Sequence, residues 1–362
     1  MYSIIMKKKK ILYVVEAMGG GVFTYVVEMA NKLVSNYDVY IAYSVRPQTP
    51  ENYKDYFDSK IHLIRVKNFI RSVNLKRDFL AFREIKNIAS EVQPDIIHLH
   101  SSKAGALGRW AFNGNKIHLF YTPHGYSFLM SNQSKIKQKI YYMIEAISAK
   151  RCCTTISCSK GEHNVTLKLT SNAKYVNNGI DIEQLESELK RSGTSSVEEK
   201  RPMVFTLGRI CYQKNPSLFN EIAKRFPEIE FLWIGDGELK NELTAKNITI
   251  TGWVERSDAL KYAKECRCFL LTSRWEGLPI SLLEAMYMKK ICIVSDVIGN
   301  RDVIHSNKNG YICKGVENYV DAIKALNDDI NSSLVENAYE NVIQEFNTSV
   351  MVNKYLDIYG KV

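Results

Sequence analysis

The stretch Phe269-Leu-Leu-Thr-Ser-Arg-Trp-Glu276-Gly-Leu-Pro279-Ile-Ser-Leu-Leu-Glu284-Ala285 runs from a short apolar strand, through a loop, into the start of an apolar helix. Pro279 suits the first helical position, where its fixed φ is already right and its missing N–H is not needed. The loop Glu276-Gly277-Leu278 therefore presents free backbone donors at a helix N-terminus directly after a strand, a place suited to a diphosphate. Glu276 precedes the helix and Glu284 falls one to two turns inside it, so two carboxylates flank that end at different heights. So placed, they can accept hydrogen bonds from hydroxyls on either side of a phosphate. The plainer alternative makes Glu276 a loop residue and Glu284 a surface residue, although Leu282, Leu283, Ala285 and Met286 around the latter do not suggest a solvated face.

Outward from this stretch the same grammar repeats. Short apolar runs at Ile11–Val15, Val39–Ser44, Ile61–Val66, Ile96–Leu99, Ile117–Tyr121 and Thr154–Ser157 alternate with amphipathic stretches such as Val22–Leu33, Lys76–Val92 and Ser134–Lys150. After a polar interval from Glu186 to Pro202 the alternation restarts at Met203–Leu207, Phe231–Ile234, Ile248–Trp253, Phe269–Thr272 and Ile291–Ser295. Near-continuous apolar strands of this kind are buried on both faces, which predicts parallel sheets covered by helices. The expected fold is α/β, with two doubly wound domains: 1–185, a linker over 186–202, 203–340, and a closing helical segment 341–362 packing back on the first domain.

A chain of 362 residues, 45% of them hydrophobic, is long enough for two such cores. The apolar run after Lys7–Lys10 is cut by Glu16 and then by Gly19, Gly20 and Gly21, so no cleavable signal is expected and the cytoplasm is the expected location. Residues 1–182 carry 26 Lys and Arg against 13 Asp and Glu, and the remainder 23 against 26. This asymmetry fits either peripheral attraction to an anionic membrane, at the inner face of the cell membrane, or simply a solvated surface. Nucleic acid is not expected as a partner, because the basic residues are not interleaved with stacking aromatics. The eight cysteines match neither a disulfide framework nor a zinc spacing and are expected as buried free thiols.

Three further segments of the first half stand out. Gly19-Gly20-Gly21 follows a strand and opens a helix, so it is either an anion-binding turn or only a tight turn. In Thr122-Pro123-His124-Gly125-Tyr126, His124 stands at a strand end beside glycine, with His98 and His100 at another strand end. The helix Lys135–Ile147 mixes lysines with an apolar stripe, and either lies on a membrane surface or faces the core with a basic outer side.

The segment Glu276 to Glu284 resembles the E-x7-E signature of retaining glycosyltransferases of family 4, the group with the GT-B fold of two Rossmann-like domains facing each other across a cleft. Supporting segments run nearly the length of the chain: the Gly-rich turn, Asn177-Asn178-Gly179-Ile180-Asp181, Gly208-Arg209 with Lys214, Gly235-Asp236-Gly237, Gly252-Trp253-Val254 and Ser295–Arg301. The resemblance implies a metal-independent transferase of hexosyl or N-acetylhexosaminyl groups that uses no cofactor. Its donor would be a nucleotide diphosphate sugar, uridine being the commonest base.

By the same resemblance Arg209 and Lys214 neutralise the diphosphate, and Gly20, Gly21, Val254, Gly277, Leu278, Pro279 and Glu284 contact the donor. His124 contacts the transferred sugar near the reaction centre, Glu276 is a further catalytic residue, and Trp253 is either a base neighbour or core. The segment Ser101–Arg109 is similar to one in enzymes that assemble capsule or O-antigen. It assigns Ser102, Lys103 and Arg109 to a lipid-linked saccharide acceptor, with the small residues of that helix admitting close approach of the ligand. A nucleotide-sugar epimerase and a silent binding module are the competing readings.

Overall fold

The computed structural model describes residues 8–47, 49–191, 204–326 and 328–361. The chain divides into two compact units. One comprises Met1–Leu129, Gln133–Asn177 and Met351–Val362, and the other Met130–Asn132 and Asn178–Val350.

The first unit is a seven-stranded sheet. Its strands are β1 (Lys10–Met18), β2 (Asp38–Val45), β3 (His62–Arg65), β4 (Ile96–His100), β5 (His118–Thr122), β6 (Thr154–Ser157) and β7 (Ala173–Tyr175). Every pairing is parallel and the order is β3-β2-β1-β4-β5-β6-β7. The helices are α1 (Gly20–Leu33), α2 (Leu75–Val92), α3 (Ser102–Ala111), α4 (Lys135–Ser148) and α5 (Lys160–Thr166). Strand β1 shows why the sequence reads as continuously apolar. Ile11, Tyr13 and Val15 enter one core with α1, while Leu12 and Val14 enter the other with α2.

The second unit repeats the plan with six parallel strands: β8 (Val204–Leu207), β9 (Phe231–Ile234), β10 (Ile248–Ile250), β11 (Cys268–Leu271), β12 (Ile291–Ser295) and β13 (Tyr311–Cys313), ordered β10-β9-β8-β11-β12-β13. Its helices are α6 (Ile182–Arg191), α7 (Pro216–Lys224), α8 (Arg256–Glu265), α9 (Ile280–Tyr287), α10 (Asn300–Val303), α11 (Val316–Lys324) and α12 (Asp328–Gln344), and α13 (Thr348–Gly360) closes the chain. In both sheets the order reverses beside the first strand of the unit, β1/β4 and β8/β11, where ligands of doubly wound folds collect at the carboxyl ends of the strands.

Three expectations need correction. The division falls at Asn177/Asn178, ahead of the expected linker. Residues 192–203 of that stretch and its flank lie outside the described residues, but 186–191 belong to α6, which buries Leu185 and is tied down by Tyr287 Oη donating to Glu186 at 2.6 Å. The polar composition there is the solvent face of a helix. The closing segment is two helices, and only Met351 onward joins the first unit, because Asn347 ends α12 by donating to Val342 and Ile343 carbonyls while Ile180 takes the neighbouring backbone. Strands β7 and β13, three residues each at sheet edges, left no apolar run to read. All eight cysteines are free thiols, with Cys152 exposed and Cys211 half-buried, so those two are not core residues.

Candidate functional site

In the second unit the loop 276–279 sits where β11 gives way to α9. Pro279 is the N-cap rather than the first helical residue, with φ −76° and ψ 122°. Its carbonyl accepts from Leu282 and Leu283, which leaves the N–H groups of Ile280 and Ser281 without intrahelical acceptors. Behind the loop, a side chain on Gly299 would meet the Gly277 carbonyl oxygen at 2.2 Å, so glycine is required there for the backbones to approach. Leu278 is buried, and its carbonyl accepts from Asn178 Nδ2 at 3.1 Å across a hundred residues of sequence.

Glu276 and Lys214 are brought together. Lys214 Nζ lies 2.7 Å from Glu276 Oε1, which also accepts from Ser273 Oγ at 2.7 Å, while Gln213 Nε2 reaches Oε2 at 3.3 Å. Both side chains are largely buried, 16% and 8% exposed. Lys214 is positioned by a single 3-10 turn whose carbonyls, those of Lys214 and Asn215, accept from Thr272 Oγ1 at the end of β11. A pair so enclosed holds a cation and an anion in fixed places at a helix start.

Arg209 is not joined to this pair. Its guanidinium meets Glu238 at 2.8 Å, with the two side chains 34% and 51% exposed, a pairing worth about 0–1 kcal/mol. Glu284 is buried and faces Arg256, whose Nη2 lies 2.7 Å from Oε1 without the alignment of a hydrogen bond; Arg256 Nε also donates to Glu188 on α6. Val254 is half-buried and follows Gly252, which bridges to Gly235 with φ 73°, whereas Trp253 is 65% exposed and so is not core. Gln213, Ser273, Asn178 and Arg256 were not singled out from the sequence. Two of them lay inside segments that the sequence marked, Asn178 in Asn177–Asp181 and Ser273 in the stretch ahead of Glu276.

In the first unit, Gly20 starts α1 with φ 56°, and both Gly20 and Gly21 are exposed with open space where a side chain would stand. His124, in the left-handed region at φ 53°, donates to or accepts from His100, with Nε2 3.0 Å from His100 Nδ1, so Nδ1 is the ring nitrogen left for a ligand. His98 in turn bonds Thr122 Oγ1 at 2.9 Å and Tyr359 Oη at 2.5 Å. Burial holds His124 down at about 3 and keeps His98 and His100 well below the ordinary imidazole range, with the neighbouring imidazoles adding to the effect on the last two. Tyr13, Tyr25, Tyr355 and Tyr359 surround them, all raised by burial and hence neutral.

The cluster therefore makes stability depend on pH with a definite sign. Folded, the three imidazoles stay neutral; unfolded, each binds a proton below about 6.5. Below that pH the unfolded chain holds more protons. The contribution is complete above about 6.5 and is lost as pH falls toward 3, by up to about 1.4 kcal/mol per pH unit for each histidine. Thermal melting from pH 7 to pH 4 should show this decline, shallower in His98→Gln; equal slopes would mean the cluster already binds protons when folded.

The residues assigned to an acceptor separate. Ser102 is partly exposed, and Lys103 Nζ pairs with Asp78 Oδ1 at 2.8 Å. Arg109 is corrected: it is 1% exposed, paired with Glu145 at 2.5 Å, donates to the Gly105 carbonyl and lies 4.4 Å from the Tyr121 ring centre. Nor do the small residues of α3 admit a ligand. Side chains at Gly105 and Gly108 would strike Tyr121 at 2.2 Å and Leu99 at 2.3 Å, so these glycines let the helix lie close on the sheet.

Known proteins share this organisation. A family model described as Glycosyltransferase Family 4 matches residues 19–184, and one described as Glycosyl transferases group 1 matches residues 190–344. The chain is 28% identical to UDP-Gal:alpha-D-GlcNAc-diphosphoundecaprenol alpha-1,3-galactosyltransferase of Escherichia coli, over 84% of this chain and 85% of that protein. It is 22% identical to N,N'-diacetylbacillosaminyl-diphospho-undecaprenol alpha-1,3-N-acetylgalactosaminyltransferase of Campylobacter jejuni, over 80% and 82%. Among solved structures it superposes on a sucrose-phosphate synthase of Thermosynechococcus elongatus with TM-score 0.79 at 15% identity, covering 98% of this chain and 99% of that one. HepE of Anabaena in complex with UDP and glucose gives TM-score 0.77 at 14% identity, covering 98% and 100%. At such identities the superpositions establish the fold, which is GT-B. With a group 1 second unit and a family 4 first unit, this chain belongs to the family 4 glycosyltransferases.

Proposed function

We propose that this glycosyltransferase takes a sugar from a nucleotide diphosphate donor, UDP-linked, and transfers it with its anomeric configuration kept to a lipid-linked saccharide in bacterial surface polysaccharide assembly. The observation that carries the reading is the Lys214–Glu276 pair at the start of α9, inside the E-x7-E segment. The relatives named for undecaprenol-diphosphate acceptors, one of them with UDP-Gal, support the substrate class. The donor would hold to the second unit, in the cytoplasm.

The chemistry asked of these residues is charge stabilisation and positioning. The bond from the sugar's anomeric carbon to the diphosphate oxygen breaks as a bond to the acceptor hydroxyl oxygen forms on the same face. The acceptor proton passes to the departing phosphate. Negative charge growing on that phosphate is met by the Lys214 ammonium, by Arg209 once released from Glu238, and by the amide end of α9, a charge set that needs no metal. Glu276 and Glu284 accept from hydroxyls of the sugar and the ribose. His124, neutral, hydrogen-bonds the transferred sugar through Nδ1. Arg109 has no part, and Ser102 and Lys103 remain on the acceptor side.

Labelled UDP-sugars incubated with and without a lipid-linked acceptor test the reading. Acceptor-dependent UDP release with an α-configured product is expected. Isomerisation without acceptor would identify an epimerase, and no turnover with any acceptor would identify a binding module. In a thermal-shift panel UDP should stabilise the ligand-free protein by about 2.7 kcal/mol at a hundredfold excess over its Kd, and GDP and dTDP by less.

A further inference from the structure

Helix α4 is built inside out. A 14-residue helix of a globular protein normally buries its apolar stripe, yet the inward face of α4 is Gln138, Tyr141, Glu145 and Ser148. Glu145 is held by Arg109 and by Tyr121 Oη at 2.9 Å, and Ser148 Oγ accepts from Trp110 Nε1 at 3.1 Å. What remains outside is apolar: Ile136 is 73% exposed, Met143 51%, and Ile140, Ile144 and Ile147 between 40% and 49%. At 100° per residue these five occupy one stripe, with Lys135 and Lys139 along one border and Lys137 along the other. At the end of the helix Trp110, also half exposed, carries the Arg151 guanidinium 4.9 Å from its ring centre. An apolar face this continuous on the outside of a folded unit marks an interaction surface.

We propose that the outward face of α4 docks on an anionic lipid bilayer, lying in the interface with its isoleucines among the acyl chains and its lysines at the headgroups. Charge decides the occupant. The helix has no acidic residue except Glu145, which points inward, and the half of the chain that contains it carries 26 basic against 13 acidic residues. A second copy of the chain is a poorer fit, because a two-fold contact on this stripe would set lysine borders against lysine borders. The start of α2, which also packs on α3, exposes Val73, Leu75 and Phe79 beside Arg71, Lys76 and Arg77, and its one acid there, Asp78, is paired with Lys103. Among the described residues no helix is long and apolar enough to cross a membrane, so the attachment is by a helix lying flat. The inference deepens the proposed function, on which it rests only in that a lipid-linked acceptor is presented at such a surface.

Co-sedimentation of the full chain with phosphatidylcholine vesicles, with and without phosphatidylglycerol, tests it. Binding is expected to need phosphatidylglycerol and to weaken with salt. The triple variants I140S/M143S/I144S and K135E/K137E/K139E should each lose about tenfold or more of that binding. Both change only exposed side chains, so melting temperature and the UDP-induced thermal shift should match wild type. That shift reports on the donor reading separately, since it can fail while vesicle binding persists, and the reverse. The proposal is overturned if wild type ignores phosphatidylglycerol vesicles or if either variant binds them as tightly. It is equally overturned if light scattering shows a wild-type dimer that I140S/M143S/I144S converts to monomer.

Discussion

Lys214→Ala is expected to lower kcat for sugar transfer by about a hundredfold to a thousandfold while the protein stays folded, the usual loss when one preorganised group is removed from a developing negative charge. The fold should survive because Glu276 keeps Ser273 Oγ and Gln213 Nε2 as donors when the ammonium is gone. Glu276→Ala should lose transfer to a similar degree, since it removes the anion that fixes Lys214 at 2.7 Å and the acceptor for the sugar. The two changes share one interaction, so the double variant should be little worse than either alone. Arg209→Ala should also lose transfer, without a comparable effect on melting, because its pairing with Glu238 is half exposed. Steady-state kinetics beside melting curves decide the matter. Wild-type turnover in Lys214→Ala or Glu276→Ala would remove the site from this loop.

Glu145→Ala should destabilise the first unit by about 3–5 kcal/mol, because it strands the Arg109 guanidinium in the interior. Arg109 is 1% exposed, and without Glu145 it would keep the Gly105 carbonyl and the Tyr121 ring but no countercharge. Tyr121 would lose its acceptor as well. Removing both charges together, as Arg109→Met with Glu145→Leu, should cost far less than the single change, since apolar replacement of a buried pair is often close to neutral. Denaturant unfolding of the three proteins measures the difference. The double variant also tests the role of Arg109: if it folds and transfers sugar normally, Arg109 serves the fold; if it folds and fails only with acceptor, the side chain serves the substrate.

The fold class was legible because its signal is local. Phe231–Ile234 and Ile291–Ser295 are strands over the same residues in sequence and structure, since a strand buried on both faces must be apolar throughout. Glu276 and Glu284 could be picked out because one precedes and the other lies inside a helix start that follows a strand, and Lys214 because its segment resembles that of the family. Less legible was what each charge faces. Arg109 and Lys214 look alike in the sequence, one basic residue each in a helical or turn context. One is closed into a core by Glu145 and the other is presented at a helix start by Thr272. Helix α4 stayed open in the sequence for a related reason: its periodicity is real, but periodicity identifies two faces without saying which one is turned inward.

The sequence by itself determined two parallel α/β units, the loop and helix start at Glu276–Glu284, and the family those residues belong to. Each depends on residue order within a dozen positions, where backbone geometry fixes direction. Tertiary structure alone decided the pairings of Lys214 with Glu276, Arg256 with Glu284, Arg109 with Glu145 and Asn178 with the Leu278 carbonyl. Partners 28 to 100 residues apart in the chain meet only after the sheets close. Which of several available countercharges a cation finds is set by packing, and no local pattern encodes that choice.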